Sequence, residues 1–178
     1  GKEFPQQIVE VGIAEQNLVG VAAGLGSCDK KVFAVSPACF LTARSLEQIK
    51  NDICYSDHPV TVVGISAGVS YGALGSTHHS LHDYAALRAI NNITIVAPAD
   101  NFETAQAIEL AANTNKPVYL RFGKKPMPSL KETNDEDFSK KPALNKWSKQ
   151  EELGHLIDSA QNNIQRFIRV QYEEHVHI

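Results

Sequence analysis

Side chains that could take part in chemistry occur in three short stretches of the sequence. Glu15 follows a short β-branched run and Gly12, at the start of a predicted helix. A carboxylate there can complement the helix dipole, or it can exchange a proton with a bound group. The second stretch carries three histidines, His78, His79 and His82. The third follows the last predicted strand and carries three cations, Arg121, Lys124 and Lys125. Those cations could bind a phosphate or could be a solvated cluster.

The three histidines raise the question of a metal site. His78 and His82 are four residues apart and could share a helix face, whereas the adjacent His79 points away. No third Cys, Asp or His is placed beside them by the sequence, so we predict no metal site within this chain. An imidazole can also donate or accept a hydrogen bond near neutral pH, which suits a substrate-binding or catalytic role.

The elements that must position these residues follow an alternating pattern. β-Branched or apolar runs predict strands, and apolar residues at helical spacing predict helices between them. The predicted strands span 8–11, 32–35, 60–65, 93–97 and 118–122, and the predicted helices span 13–24, 41–53, 83–89 and a segment behind the capping box of Asp100 and Glu103. The run 60–65 is nearly all apolar and should be central. The sequence predicts a three-layer α/β fold with a mostly parallel sheet and helices on both faces, in which ligands bind beyond the carboxyl ends of the strands.

Length and composition bound the class of protein. The chain has 178 residues, of which 43% are hydrophobic and 21% charged, as in a folded globular protein with one core. Its 17 basic and 20 acidic residues provide no basic excess, which argues against nucleic-acid or membrane binding. Three cysteines without a CxxC pair argue against a disulfide framework. With no signal region or apolar run of bilayer length, we expect a cytoplasmic protein.

The sequence divides into three segments. Residues 1–128 carry the strand and helix alternation, residues 129–147 are polar and read as a linker, and residues 148–178 form a C-terminal helix and tail. Ser148 and Glu151 make a second capping box, and apolar residues follow at helical spacing. We expect this amphipathic helix to cover the domain or a partner.

Four motifs in colinear order carry a family resemblance. They are Val11-Gly12-Ile13-Ala14-Glu15-Gln16; Phe40-Leu41-Thr42 with Glu47-Gln48-Ile49; Gly75-Ser76-Thr77-His78-His79; and Leu87-Arg88-Ala89-Ile90 with Pro98-Ala99-Asp100. Together they resemble the pyrimidine-binding domain of the transketolase and deoxyxylulose-phosphate synthase group of thiamine-diphosphate enzymes. The resemblance covers residues 4 to 128. It implies a domain that holds the aminopyrimidine ring of thiamine diphosphate, while a separate pyrophosphate-binding domain supplies the diphosphate contacts and magnesium or calcium.

The resemblance implies roles for residues around the cofactor. Glu15 matches the family's essential carboxylate, which bonds to a pyrimidine ring nitrogen and stabilises the imino tautomer that removes the thiazolium proton. Such a carboxyl must share a proton, so we expect burial to raise its pKa. Pro37 and Phe40 match positions that wall the ring, and Arg44 lies close to a family arginine as a further cofactor contact.

Other residues match the substrate side of the family's site. The histidine matching His78 hydrogen-bonds substrate and intermediates, which makes His78 a catalytic and substrate-binding candidate. Lys124 matches a phosphate-binding arginine, and Arg121 is a second candidate for the sugar phosphate. The family commonly has an aspartate four residues before the histidine, whereas this chain has Leu74. The identity of the substrate is therefore open.

Several functions remain open at this point. The first is the pyrimidine-binding part of a transketolase-like enzyme that moves a two-carbon ketol unit between sugar phosphates, inactive without a pyrophosphate-domain partner. The second is a truncated, non-catalytic dimerisation or partner-binding domain. A component of a deoxyxylulose-phosphate synthase-like or 2-oxoacid dehydrogenase-like enzyme is a third. We also expect a homodimer, with surplus apolar residues on 15–26 and 41–53.

Overall fold

The computed structural model describes residues 2–127 and 140–141. Within them four parallel strands form one sheet in the order β1-β2-β4-β3: β1 Val32–Pro37, β2 Val60–Ile65, β3 Thr94–Val96 and β4 Val118–Arg121. Val32 lies beside Val60 in the β1–β2 pair, and Thr61 lies beside Val118 in the β2–β4 pair. The mostly parallel α/β fold is thus confirmed, with β2 in the interior of the sheet.

Helices connect the strands. They are α1 Glu15–Gly26, α2 Ala38–Arg44, α3 Leu46–Gln48, α4 Asp83–Arg88 and α5 Asn101–Asn113, with a π-helical segment at Ile49–Tyr55 and 3₁₀ turns at Pro5–Gln7 and Gly72–Leu74. The predicted capping box begins α5: the Asp100 carboxylate accepts from the Glu103 N–H at 2.8 Å, and the Glu103 carboxylate accepts from the Ala99 N–H. No helix among the described residues has the length and apolar content to span a membrane.

Apolar side chains pack on both faces of the sheet. One cluster joins α1, the π-helical segment and α4 to the sheet through Val19, Ile53 and Leu87. The other joins α5 to the sheet through Ala107, Ala111 and Leu120. Helices therefore cover both faces, which is the three-layer arrangement that the strand and helix alternation predicts.

Two sequence predictions about elements are wrong. Residues 8–11 form no strand, and Ile8 and Val9 stay about half exposed. The predicted helix at 41–53 is interrupted at Ser45, whose φ of −113° and ψ of 23° leave the helical region, and it continues as α3 and the π-helical segment. The predicted linker and C-terminal helix lie outside the described residues, apart from residues 140 and 141.

Candidate functional site

The candidate residues gather around the carboxyl ends of the strands. Glu15 is the first residue of α1, and Ser36 and Pro37 end β1. Phe40 and Arg44 belong to α2, which follows β1 directly. His78 lies in the loop between β2 and α4, and Lys124 follows β4. Residues from four separate stretches of the chain therefore lie at the edge of the parallel sheet where ligands usually bind.

Glu15 is a buried carboxylate held by two side chains. It is 5% exposed, its Oε2 lies 2.9 Å from Arg44 Nη1, and its Oε1 lies 3.4 Å from the Ser36 hydroxyl. Arg44 reaches it from the last turn of α2 and remains about half exposed. The carboxylate thus has one strong charged partner and one weak hydroxyl contact.

These contacts decide the pKa of Glu15. Burial raises it, and this is the largest single influence. The hydrogen bond and charge of Arg44, the backbone N–H of Glu15 and the Ser36 hydroxyl each lower it, and together they leave the pKa below its ordinary value. The expectation of a raised pKa is therefore wrong for this chain, because Arg44 provides a cation that offsets the cost of burial.

A cavity of about 340 Å³ opens beside this carboxylate. Apolar and backbone groups of Gly12, Leu18 and Val35 line it together with Glu15 and Ser36. Polar and apolar groups line this cleft in about equal measure, and Glu10 lines it as well as Glu15. A cleft of this kind can hold a flat ring whose edge carries hydrogen-bonding atoms. The residues therefore fit an aminopyrimidine, which has apolar faces and polar edge atoms.

Arg44 connects this carboxylate to a row of aromatic side chains. Its guanidinium carbon lies 4.2 Å from the centroid of the Phe40 ring, and the Phe40 ring meets the His78 imidazole edge-on at 5.2 Å. The Tyr71 ring also lies 5.5 Å from the His78 imidazole, and Lys124 Nζ lies 4.8 Å from the Tyr71 centroid. His78 therefore contacts two rings, each of which is in contact with a cation. The structure brings Glu15, Arg44, Phe40, His78 and Lys124 into one continuous set of contacts.

Arg121 has a different environment from the one expected for a substrate-binding cation. Its Nε donates to the fully buried carboxylate of Asp83 at 2.8 Å, its Nη2 donates to the Ser80 carbonyl at 3.3 Å, and its guanidinium carbon lies 4.5 Å from the Tyr84 centroid. The Tyr119 hydroxyl also donates to Asp83, at 3.0 Å. Arg121 thus ties the end of β4 to the base of the loop that carries His78. The role of Arg121 in substrate binding stays a prediction, and its Nε and Nη2 already have partners in Asp83 and Ser80.

The other histidines have partners within the chain. His79 Nε2 lies 3.0 Å from the Gly72 carbonyl, and His82 Nε2 lies 3.3 Å from the Thr42 hydroxyl. Residues 2–127 and 140–141 contain no group of three or more His, Cys, Asp or Glu that could hold a metal ion. Leu74 ends the 3₁₀ turn and is 57% exposed. Pro37 is partly buried, one residue after Ser36.

Sequence reasoning missed three residues of this site: Ser36, Tyr71 and Asp83. Asp83 was visible only as the start of a predicted helix, since nothing in the sequence pairs it with a residue 38 positions away. Tyr71 offered a weak signal, because it is an aromatic residue within a glycine-rich loop. Such contacts follow from the register of the strands and not from local spacing.

The fold and the site together define a parallel α/β domain with a buried carboxylate in a ligand cleft at its strand ends. The sequence model described as the transketolase pyrimidine binding domain matches residues 1–129. The chain belongs to this family. Membership implies dependence on thiamine diphosphate.

Relatives and solved structures agree with this assignment. The chain is 50% identical over 137 residues to a subunit of the apulose-4-phosphate transketolase of Phocaeicola vulgatus, covering 77% of this chain and 44% of the relative. It is 37% identical over 135 residues to a putative transketolase C-terminal section of Methanocaldococcus jannaschii, covering 76% of this chain and 43% of the relative. A solved split-gene transketolase, an inactive beta4 tetramer, aligns with a TM-score of 0.65 at 37% identity over 72% of this chain and 41% of that one. The chain thus spans less than half the length of these relatives.

Proposed function

We propose that this chain is the pyrimidine-binding part of a transketolase-like enzyme that transfers a two-carbon ketol unit between sugar phosphates. One observation carries the proposal: the buried Glu15 carboxylate opens onto a cleft of about 340 Å³ and connects through Arg44 and Phe40 to His78. The chain's likeness to a transketolase subunit and to a transketolase C-terminal section supports the same conclusion.

Within this proposal, Glu15 would share a proton with a nitrogen at the edge of the cofactor's pyrimidine ring, and ring binding would have to shift it from the charged state that Arg44 favours in the free chain. Thiamine diphosphate, when bound, supplies a carbon nucleophile and an electron sink for cleaving a bond next to a carbonyl. Glu15 would bond to a ring nitrogen, and Leu18 and Val35 would exclude water from the ring's surroundings. Phe40 and Pro37 would wall the site, and Arg44 would hold the Glu15 carboxylate when the ring is absent.

His78 and Lys124 would act on the substrate. The imidazole, whose Nδ1 lies 3.0 Å from the Thr77 hydroxyl, can donate or accept a hydrogen bond at the sugar's carbonyl or hydroxyl groups, and Phe40 and Tyr71 contact its ring. The exposed Lys124 ammonium can pair with a phosphate as a point charge. The names of two relatives, at 50% and 46% identity, point to apulose 4-phosphate as the substrate to test first.

The proposal requires a partner. The described residues provide no group of three or more metal-binding side chains. A pyrophosphate-binding subunit would supply the diphosphate contacts and a magnesium or calcium ion. Two relatives are each named as one subunit of a transketolase, and the chain's likeness to them supports this division.

The test is the Glu15→Gln variant in the enzyme reconstituted with its pyrophosphate-domain subunit. Glutamine keeps the size of the side chain and a hydrogen bond, yet it cannot share a proton. Loss of general acid–base assistance should lower kcat by about 10²- to 10⁴-fold. If Glu15 only complemented the helix dipole, the change would cost about 0.3 to 1 kcal/mol of stability and leave turnover intact. Glu109→Gln, on the exposed face of α5, is the matched control.

The same assay separates the alternatives. Apulose 4-phosphate should serve as ketol donor, whereas pyruvate should serve if the chain is part of a deoxyxylulose-phosphate synthase-like or 2-oxoacid dehydrogenase-like enzyme. Retained turnover in Glu15→Gln would remove the basis for the catalytic role of Glu15. No thiamine-dependent activity with any competent partner would leave the non-catalytic alternative standing.

A further inference from the structure

Tyr71 lies between the two groups that the proposed function assigns to the substrate. Its ring meets the His78 imidazole at a centroid distance of 5.5 Å and an interplanar angle of 66°. Lys124 Nζ lies 4.8 Å from the centroid of the same Tyr71 ring, a distance at which an ammonium is attracted to an aromatic face. One aromatic ring thus sets the spacing between a histidine and a lysine that lie far apart in the sequence.

The loop around Tyr71 fixes the place of this ring. The backbone of Gly68 and Ser80 pairs at the base of the loop, with N···O distances of 3.2 and 2.9 Å. Next to Tyr71, the Gly72 N–H donates to the Val69 carbonyl at 2.9 Å, and the Gly72 carbonyl contacts His79 Nε2 at 3.0 Å. Gly72 has a φ of +56°, in the region where side chains are strained. Tyr71 is therefore held by its neighbours before any ligand arrives.

We propose that Tyr71 is a positioning residue that pre-orders Lys124 and His78 and so favours phosphorylated substrates. This inference rests on the proposed function for its substrate class. A lysine has a flexible stem whose ordering opposes binding, and a ring that already restrains the ammonium removes part of that cost. The ammonium keeps donors free for a phosphate because an aromatic face occupies only one side of it. His78 is restrained in the same way, by its contacts with Tyr71 and Phe40.

The first experiment needs no ligand and no partner. In the full chain, the rings of Tyr71 and Phe40 should displace the His78 Cε1–H resonance from its ordinary position. Tyr71→Leu removes one ring and should move that resonance, while Tyr71→Phe keeps the ring and should leave it nearly in place. Unchanged His78 resonances in Tyr71→Leu would overturn the inference, because the ring would not then contact the imidazole.

The second experiment measures binding of inorganic phosphate to the full chain by the same resonances and those of Lys124. A cation–π contact at an exposed site corresponds to about a two- to fivefold change in affinity. Tyr71→Leu should therefore weaken phosphate binding by that factor, and Tyr71→Phe should not. In the Lys124→Ala background, Tyr71→Leu should have no further effect, since its influence passes through the ammonium.

Other results would contradict the inference in distinct ways. Equal weakening by Tyr71→Leu with and without Lys124 would show that Tyr71 acts on the loop as a whole. No phosphate binding by the unmodified chain would overturn the selection of phosphorylated substrates. Neither result bears on the role of Glu15, which the Glu15→Gln assay tests separately.

Discussion

Arg44 is one of the groups that lower the pKa of the buried Glu15 against the effect of burial. The sequence marked Glu15, Phe40 and His78 by residue type and motif, so that part of the site could be predicted. The direction of the Glu15 pKa could not, because it depends on a guanidinium 29 positions away that reaches back from the end of α2. The sequence predicted that the Glu15 carboxylate is buried, but it did not identify Arg44 as its ionic partner.

Replacing Arg44 should therefore raise the pKa of Glu15. Arg44→Met removes the cation and its hydrogen bond and leaves burial, which disfavours the charged carboxylate. A ¹³C-detected titration of the Glu15 carboxyl should show a midpoint above that of the unmodified chain. Lys50→Met, an exposed change on the π-helical segment, should not move it. An unchanged midpoint in Arg44→Met would mean that Arg44 does not set the charge of this group.

The ion pair of Glu15 and Arg44 should also change how the stability of the domain depends on pH. The folded-state pKa of Glu15 is lowered, so its contribution is present above the unfolded value of about 4.3 and is lost as pH falls through the folded value. In Arg44→Met the folded pKa should exceed the unfolded one, so the Glu15 contribution to stability should increase as pH falls from about 7 toward about 5. Urea unfolding across this range, compared with a Glu15→Gln, Arg44→Met double variant, measures that contribution.

At the scale of elements, the Asp83 network fixes the loop that carries His78. The carboxylate is fully buried and accepts from Tyr119, Arg121 and the Tyr84 N–H. The alternation of strands and helices could be read from the sequence because apolar periodicity reports burial directly. The network could not, since parallel strands distant in the sequence bring its members together. The failed strand at 8–11 has a different cause: an apolar run predicts a strand whether or not its backbone comes within hydrogen-bond distance of a neighbouring strand.

Breaking that network should cost stability. Asp83→Asn leaves Arg121 without a charged partner, and loss of one partner from a buried pair costs on the order of 3 kcal/mol, at the low end of the range because Arg121 is 21% exposed. Urea unfolding should show a lower midpoint with a similar slope. Asp52→Asn, an exposed aspartate on the π-helical segment, should change little. Equal midpoints for the two variants would show that the pair adds nothing to the fold.

Gly64 in β2 should not tolerate a side chain. A Cβ there would lie 2.9 Å from the Ala38 Cβ and against the Tyr119 hydroxyl, so Gly64→Ala should destabilise the domain by about 1 to 3 kcal/mol. Gly20 in α1 is the matched control, because a Cβ there meets no atom within 4 Å. In that helix interior, Gly20→Ala should stabilise by up to about 1 kcal/mol. Thermal unfolding should show a lower Tm for Gly64→Ala and an equal or higher Tm for Gly20→Ala than for the unmodified chain.

For the whole molecule, the location of exposed apolar side chains differs from the expectation. Among the described residues, no large exposed hydrophobic side chain belongs to 15–26 or 41–53. Around the site they lie on the first residues, on β1 and on the β2–α4 loop: Ile8, Val9, Ile13, Phe33, Val35, Val69, Leu74 and Leu81. Periodicity shows which residues are apolar, but only the packed structure shows which of them the core leaves uncovered.

The isolated chain should bind thiamine diphosphate weakly and without dependence on magnesium. The cleft beside Glu15 can hold a ring, whereas the described residues lack a group that could hold a metal ion. Titration calorimetry with and without magnesium tests this directly. Tight, magnesium-dependent binding by this chain alone would contradict the division of the site between two subunits.

We also expect a homodimer in solution, burying on the order of 1,000 Å² or more. The apolar residues at 8–13 and on β1 are the surface that such an interface would cover. Sedimentation velocity at increasing concentration measures the state of assembly. A monomer at high micromolar concentration would count against self-association and favour a different subunit as the occupant of that surface.

Among the described residues, β1 is hydrogen-bonded to another strand on one side only. Residues of the first segment, of α1 and of β1 line a cavity of about 590 Å³. A strand edge without a partner can pair with a strand of another chain. Lys30 and Lys31 lie just before β1. Lys31 Nζ donates to the Thr114 carbonyl, so the charge that opposes such pairing is that of Lys30. Because salt screens charge, the purified chain should keep best in dilute buffer and precipitate as ionic strength rises. The ionic strength of the storage buffer should therefore decide how well the purified chain stays in solution.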